Sequence, residues 1–319
     1  MTPPTLNDIR EAAKRIAPHA HRTPVLTCSS INEACSAEVY FKCENFQRVG
    51  AFKFRGATNA VFSLSDVETD KGVATHSSGN HAAALALAAR LRRIPAHIVM
   101  PDNAPQVKKD AVAGYGARIT FCEPTLKARE EALAKVVAET GAAMIHPYDD
   151  YRVIAGQGTC ALELCEEIPD LDGVVAPVGG GGLLAGTAIS ISEASPETWI
   201  IAAEPANADD AARSFTAGHI IPSDNPITIA DGLLTSLGER NFPIIKERVA
   251  DILTVSEESI IAAMRLVWER MKIVIEPSAA VPLAAVQTKR ELIPGDRIGV
   301  ILSGGNVDLA RLPWTEAQP

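Results

Sequence analysis

The sequence predicts an α/β protein of two doubly wound lobes with mainly parallel sheets. Three observations carry this. Between about residues 70 and 147, short strand-like runs alternate with helical runs, the order of a small parallel unit. A second alternation runs from about 154 to 302. Each set also has a stretch of small residues between a strand and a helix, Ser77–His81 and Gly179–Gly182. Residues 1–69 and 148–319 are expected to form a large domain and 70–147 a small one, with the ligand site in the cleft between them.

The elements follow in order. Leu6 to Ile16 places Ile9, Ala12, Ala13 and Ile16 on one helical face, with Thr5 or Asn7 as cap. Thr23 precedes a proline and is therefore extended, through Leu26. Glu38 to Glu44 alternates as a strand and delivers the chain to a helix through Val61. Strands at Gly72–His76, Ala96–Met100 and Arg118–Phe121 alternate with helices at Ala82–Leu91, Gln106–Tyr115 and Leu126–Glu139. Ile154–Thr159 opens a helix through Ile168, and Gly173–Pro177 is a buried strand that meets the glycine run and a helix to Glu193. Strands at Trp199–Ala203, Ile252–Val255 and Arg297–Leu302, with helices at Ile260–Met271 and Ala279–Arg290, complete the second set.

Composition narrows the function classes. The 319 residues are 47% hydrophobic and 22% charged, which is enough to bury a large core. A net charge of −9 argues against nucleic-acid or anionic-membrane binding through bulk electrostatics, but a local cation cluster for an anionic small substrate is compatible with it. Six cysteines show no CxxC pair and no metal-like spacing, so they read as reduced thiols. Met1–Pro4 opens no apolar run, and no window reaches about 18 uninterrupted apolar residues, so neither a secretory signal nor a membrane span is expected. A cytoplasmic location follows as the expectation.

Chemistry concentrates in three places. Lys53 lies between Phe52 and Phe54, with Gly50 and Gly56 close by. A lysine desolvated in such a setting loses basicity, and its neutral amine attacks carbonyls to form a Schiff base. The alternative is an exposed lysine on an amphipathic segment. Gly179 to Gly182, after a strand and before a helix, expose several N–H groups to one point, as a phosphate cradle does. Neither a Gly-Lys-Ser/Thr ending nor a GxGxxG opening is present, so the run is neither a nucleotide P-loop nor a dinucleotide site. The alternative is a flexible loop. Ser303, in Leu302–Asn306, ends a strand with its hydroxyl facing the crevice, suited to a heterocyclic nitrogen; the alternative is a plain turn. A Schiff-base lysine, a phosphate cradle and a nitrogen partner together point to pyridoxal 5'-phosphate.

With these motifs in hand, the chain resembles the tryptophan-synthase-β-like group of pyridoxal phosphate enzymes, the family of serine and threonine dehydratases and serine racemase. The likeness runs from Thr23 to Asn306 through Gly50–Ala57, Ser77–His81, Gly179–Gly182 and Ser303–Asn306. It implies that Lys53 carries the cofactor, Phe52 packs on its ring, and Asn80 bonds the ring hydroxyl oxygen. The four glycines hold the phosphate, Ser303 faces the pyridine nitrogen, and Glu276 is a further cofactor-binding residue. A serine opposite that nitrogen disfavours full carbanion delocalisation and favours β-elimination. Ser77, Ser78, Gly79 and His81 are implied substrate contacts, with Arg129, Tyr148 and Ser236 beside them. Ser78 is also the implied second proton-transfer residue of a racemase. Glu204, the carbonyl of Ala208 and Asp210 resemble a divalent-cation site, whose oxygen-only ligands suit Mg²⁺, Ca²⁺ or Mn²⁺. A homodimer is implied, and no regulatory domain is expected after Asn306.

The function expected is elimination of water from a β-hydroxy amino acid. 3-Hydroxyaspartate is the leading substrate, giving iminosuccinate, then oxaloacetate and ammonia. Serine or threonine dehydration and serine racemisation are the alternatives. A non-catalytic pyridoxal phosphate-binding protein of the same fold is the reading from another class, and the presence of Ser78, Asn80 and Ser303 argues against it.

Overall fold

A computed structural model describes residues 2–77, 79–104 and 106–315. The chain opens with α1 (Leu6–Ile16), β1 (Val25–Leu26), α2 (Ser29–Cys35), β2 (Glu38–Cys43), α3 (Lys53–Phe62) and α4 (Asp66–Thr69). It continues through β3 (Val73–His76), α5 (Asn80–Arg92), β4 (Ala96–Pro101), α6 (Gln106–Gly114), β5 (Arg118–Cys122), α7 (Leu126–Thr140) and β6 (Ala143–Met144). Next come α8 (Tyr151–Glu167), β7 (Gly173–Pro177), α9 (Gly182–Ala194), β8 (Trp199–Pro205), α10 (Asp210–Ala217) and α11 (Asn241–Arg248). The last elements are β9 (Asp251–Val255), α12 (Glu257–Met271), α13 (Pro277–Thr288) and β10 (Arg297–Leu302).

Two sheets result. One has the order β1-β2-β10-β7-β8-β9 and is parallel except for the β1–β2 pair. The other has the order β5-β4-β3-β6 and is parallel throughout. The α/β architecture read from the sequence therefore stands. Strand alternation splits the core across both faces of the larger sheet. Val174, Ala176, Ile200 and Ala202 face α1, α8 and α9, whereas Val175, Ile201 and Ala203 face α12 and α13. Burial on both faces is why these strands read as continuous apolar runs.

Local chemistry fixes the ends. Thr5 and Asp8 form a reciprocal capping box at the start of α1. The start of α8 differs from the expectation. Asp150 caps it by accepting from the Arg152 N–H at 2.8 Å, so the helix begins at Tyr151 and Gly156 and Gly158 lie inside it. Helix α2 was not expected, because only Ile31 and Cys35 of its seven residues are buried.

Candidate active site

Lys53 opens α3, and the end of β10 places it. Ala51 bridges to Gly304, and the Phe52 N–H donates to the Ser303 carbonyl at 3.0 Å. Lys53 Nζ donates to the Pro147 carbonyl at 2.9 Å and stands 5.1 Å from the centre of the Phe52 ring. The surface that Lys53 exposes faces a cleft. Desolvation lowers its pKa from 10.5 to about 8, and nearby Glu276 limits the fall.

The glycine run follows β7 and begins α9. Gly181 takes φ +91°, a conformation that side chains resist, and a Cβ on Gly180 would overlap the Tyr148 ring. The loop is clamped from outside. The Asn241 side chain donates to the Gly180 carbonyl at 2.7 Å, and the Gly238 N–H donates to the same oxygen at 3.1 Å. Sequence reasoning passed over Asn241, whose role depends on a contact 61 residues away.

Asn80, at the start of α5, donates to Glu276 at 2.9 Å. The Asn306 N–H donates to the other Glu276 oxygen at 3.0 Å, and the Asn306 side chain donates to Asn80 Oδ1 at 2.9 Å. Burial raises the Glu276 pKa to about 7; Asp231 adds to the rise, and the Asn80 hydrogen bond tempers it. The triangle ties the second sheet's helix α5 to α13 and β10 of the first.

Phe52, Lys53, Asn80, Tyr148, Gly179–Gly182, Glu276 and Ser303 line a cavity of about 270 Å³, together with Ser77, Gly79, His81 and Thr235. Arg129 also lines it, with one long 3.4 Å contact to the Thr125 carbonyl and no ion pair among the described residues. Ser236 does not line it; its hydroxyl accepts from the Ser223 N–H, and Thr235 takes the cavity position. Ser78 lies outside the described residues. Arg152 pairs with Asp150 at 2.6 Å.

Three histidines, His76 and His81 in the cavity wall and His146 beside His76, are neutral near pH 7. Burial is the main cause for each. It lowers His76 to about 4, His81 well below its ordinary value and His146 in the same direction. His146 Nδ1 accepts from the Asp149 N–H at 2.9 Å, and its ring meets Tyr148 edge-on at 4.6 Å. His76 gave no signal in the sequence, because it reads as the last residue of a strand.

A second cavity of about 930 Å³ shares Gly79, Asn80, Lys108 and Asp231 with the first. Lys108 and Asp231 form an ion pair at 2.5 Å in that common wall.

Glu204 is the last residue but one of β8 and Asp210 opens α10; both are buried. Burial raises Glu204 to about 8 and Asp210 to about 6. Glu204 accepts the N–H groups of Ala211 and Ala212 at 3.0 Å each, whereas neither Asp210 oxygen has a hydrogen-bond partner among the described residues. An orphaned buried carboxylate beside a second one fits a divalent cation. No cluster of three His, Cys, Asp or Glu side chains is present among the described residues, so carbonyls and water would complete such a shell.

A family model, "Pyridoxal-phosphate dependent enzyme", matches residues 16–304. The chain belongs to that family. It is 56% identical over 311 residues to a beta-hydroxyaspartate dehydratase of Paracoccus denitrificans, covering 98% of this chain and 99% of that protein. It is 49% identical over 312 residues to an L-threo-3-hydroxyaspartate ammonia-lyase of Saccharomyces cerevisiae, covering 98% and 96%. The solved serine racemase of Dictyostelium discoideum superposes with a TM-score of 0.92 at 51% identity, over 96% of this chain and 99% of that one. The site fits the family's cofactor. It offers a lysine of depressed basicity for an aldehyde, side-chain-free N–H groups for a phosphate, and the buried Ser303 between them.

Proposed function

We propose that the protein is a pyridoxal phosphate-dependent dehydratase that eliminates water from 3-hydroxyaspartate, giving oxaloacetate by way of iminosuccinate, with ammonia. One observation carries the substrate assignment. The cavity that holds Lys53 and the glycine loop also contains Arg129, a cation without a carboxylate partner among the described residues. A substrate's second carboxylate would supply that partner. The Paracoccus and Saccharomyces relatives, both named for hydroxyaspartate, support the same reading.

Bound in this cavity, pyridoxal phosphate supplies an electron sink for charge developing at Cα. Lys53 Nζ is the residue to hold it. Burial lowers the pKa of that amine and favours its neutral form, which accepts the Cα proton once the substrate has taken its place on the cofactor. Phe52 forms one wall. The N–H groups of Gly179–Gly182 face the phosphate, Ser303 the ring nitrogen, and Asn80, held by Glu276 and Asn306, the ring oxygen. Ser77, Gly79 and His81, with Ser78 in the same segment, take the α-carboxylate. Arg129 takes the side-chain carboxylate, with Tyr148 beside it. Glu204, Asp210 and the Ala208 carbonyl hold a Mg²⁺, Mn²⁺ or Ca²⁺ ion outside the cavity; the orphaned Asp210 oxygens support this. A homodimer and a cytoplasmic location complete the proposal. The six cysteines, all unpaired, suit a reducing compartment.

Arg129→Met tests the substrate assignment. Loss of a charged hydrogen bond worth about 2 kcal/mol lowers kcat/KM for 3-hydroxyaspartate about 30-fold and leaves serine turnover nearly unchanged. Equal losses on both substrates would remove Arg129 from the specificity site. Serine racemisation is the second reading, favoured by the Dictyostelium relative. It requires an acid–base group opposite Lys53, for which the sequence offers Ser78. Solvent deuterium exchange into both serine enantiomers, abolished on one face by Ser78→Ala, would establish it.

A further inference from the structure

Behind α3, on the side away from the cavity, four ionised side chains meet. Arg55 is fully buried. It holds Glu44 at 2.7 and 2.8 Å and Glu163 at 2.7 and 2.8 Å, each carboxylate through both oxygens. Lys42, equally buried, donates to Glu163 at 2.7 Å and to the Thr23 carbonyl at 2.7 Å. The Thr23 hydroxyl donates to Glu44 at 2.5 Å. Two cations and two carboxylates balance, and none of the four lines the active-site cavity.

Stability alone does not account for such a group. Desolvating four charges offsets most of their attraction, and apolar replacements of buried ion pairs are often neutral or stabilising. What two bidentate forks provide is fixed orientation. Arg55 follows Lys53 by two residues, about 200° around the helix, so Arg55 faces α8 while Lys53 faces the cavity.

Backbone contacts carry the same register onward. A Cβ on Gly156 of α8 would come within 2.6 Å of the Gly56 Cα, and the Gly56 N–H donates to the Gln157 side chain at 3.1 Å. On the other side of α8, a Cβ on Gly158 would lie 2.8 Å from the Gly186 carbonyl of α9. Helix α9 starts at Gly182 of the glycine loop. Pro147, whose carbonyl binds Lys53, lies on the segment that enters α8.

We infer that Arg55 and Glu163 are positioning residues. Their ion pair fixes α3 on α8, and α8 fixes α9, so that Lys53 and the glycine loop keep one register. The inference rests on Lys53 being the cofactor lysine. Borohydride reduction of the loaded wild-type protein and peptide mapping test that separately, since label on another residue would remove this premise before any variant is made.

The deciding variant is Lys42→Met/Glu163→Met, which keeps the buried charge at zero and removes the Arg55–Glu163 ion pair, leaving Arg55 only its 3.2 Å hydrogen bond to Thr159 on α8 beside the Gly56–Gln157 contact. In the cofactor-loaded full chain, the melting temperature is expected to hold or rise. The expected kcat falls about 10–100-fold while KM changes by less than about threefold. In the cofactor-free protein, the pH midpoint for reductive methylation of Lys53, read by mass spectrometry, rises toward that of an ordinary lysine as Nζ leaves Pro147 and meets water. Wild-type kcat together with an unchanged Lys53 midpoint would overturn the inference, leaving the quartet a structural feature only. Should the double variant fail to fold, Glu163→Asp decides by the same two readouts. It keeps the charge and shortens the reach by one methylene.

Discussion

Lys53 Nζ donates to the Pro147 carbonyl across 2.9 Å, and this bond joins the first turn of α3 to the segment entering α8. The carbonyl holds the amine at the cavity wall, and the surrounding side chains partly desolvate it. Methylation of the cofactor-free protein should therefore show Lys53 reacting with a midpoint near pH 8, well below its ordinary 10.5. Lys53→Ala should lose the visible absorbance of the bound cofactor and nearly all turnover. A variant that keeps wild-type turnover would end the assignment.

Glu276 carries a pH signature of its own. Its folded pKa, about 7, lies above the ordinary 4.5, so folding favours the protonated form. Its contribution to stability is full below about pH 4.5 and is lost as pH rises through about 7. Lys53 acts in the other direction, since its lowered pKa adds stability as pH rises from about 8 to 10.5. Thermal melts of the cofactor-free protein at successive pH values, compared with Glu276→Gln, should show the wild type alone losing stability between pH 4.5 and 7 from this group. Parallel curves for the two proteins would contradict the shift.

The glycine loop admits no side chain at Gly180, where the Tyr148 ring lies against the backbone. Gly180→Ala should displace that ring and weaken cofactor binding by about 5–150-fold, an overpacking cost of about 1–3 kcal/mol read through the site. Adding Tyr148→Ala should restore part of the affinity, because the clash is then relieved. Spectroscopic titration of the apoprotein measures both.

Asp210 presents two buried oxygens without a hydrogen-bond partner among the described residues. With Mg²⁺, Mn²⁺ or Ca²⁺ bound there, excess chelator should lower the melting temperature and activity together, and the cation should restore both. Asp210→Asn should abolish the cation response. A melting curve indifferent to chelator, with no metal found by elemental analysis, would remove the site.

Much of this architecture is legible in the sequence because its signals are local. Lys53 between aromatics, four glycines after a strand, and the apolar runs of Gly173–Pro177 and Arg297–Leu302 announce themselves within a few residues. Other features depend on distant partners. Arg55 and Glu163 are 108 residues apart, and Lys108 and Asp231 are 123 apart. Their pairing belongs to the fold and leaves no mark on either segment. Gly156 and Gly158 misled in the other direction. The segment Ile154–Thr159 reads as a helix start, whereas Gly156 and Gly158 serve close helix crossings inside α8. Ser236 and Thr235 are adjacent in sequence, and only the backbone path decides that Thr235 faces the cavity.

The central claim is dehydration of 3-hydroxyaspartate, and one measurement addresses it directly. The purified, cofactor-loaded protein is given each stereoisomer of 3-hydroxyaspartate, and separately L-serine, D-serine and L-threonine, with keto acid and ammonia quantified together. The account predicts equimolar oxaloacetate and ammonia from at least one 3-hydroxyaspartate isomer, at a kcat/KM above that for serine or threonine. A kcat/KM for serine or threonine that exceeds every 3-hydroxyaspartate isomer, or no ammonia from any of them, would contradict it.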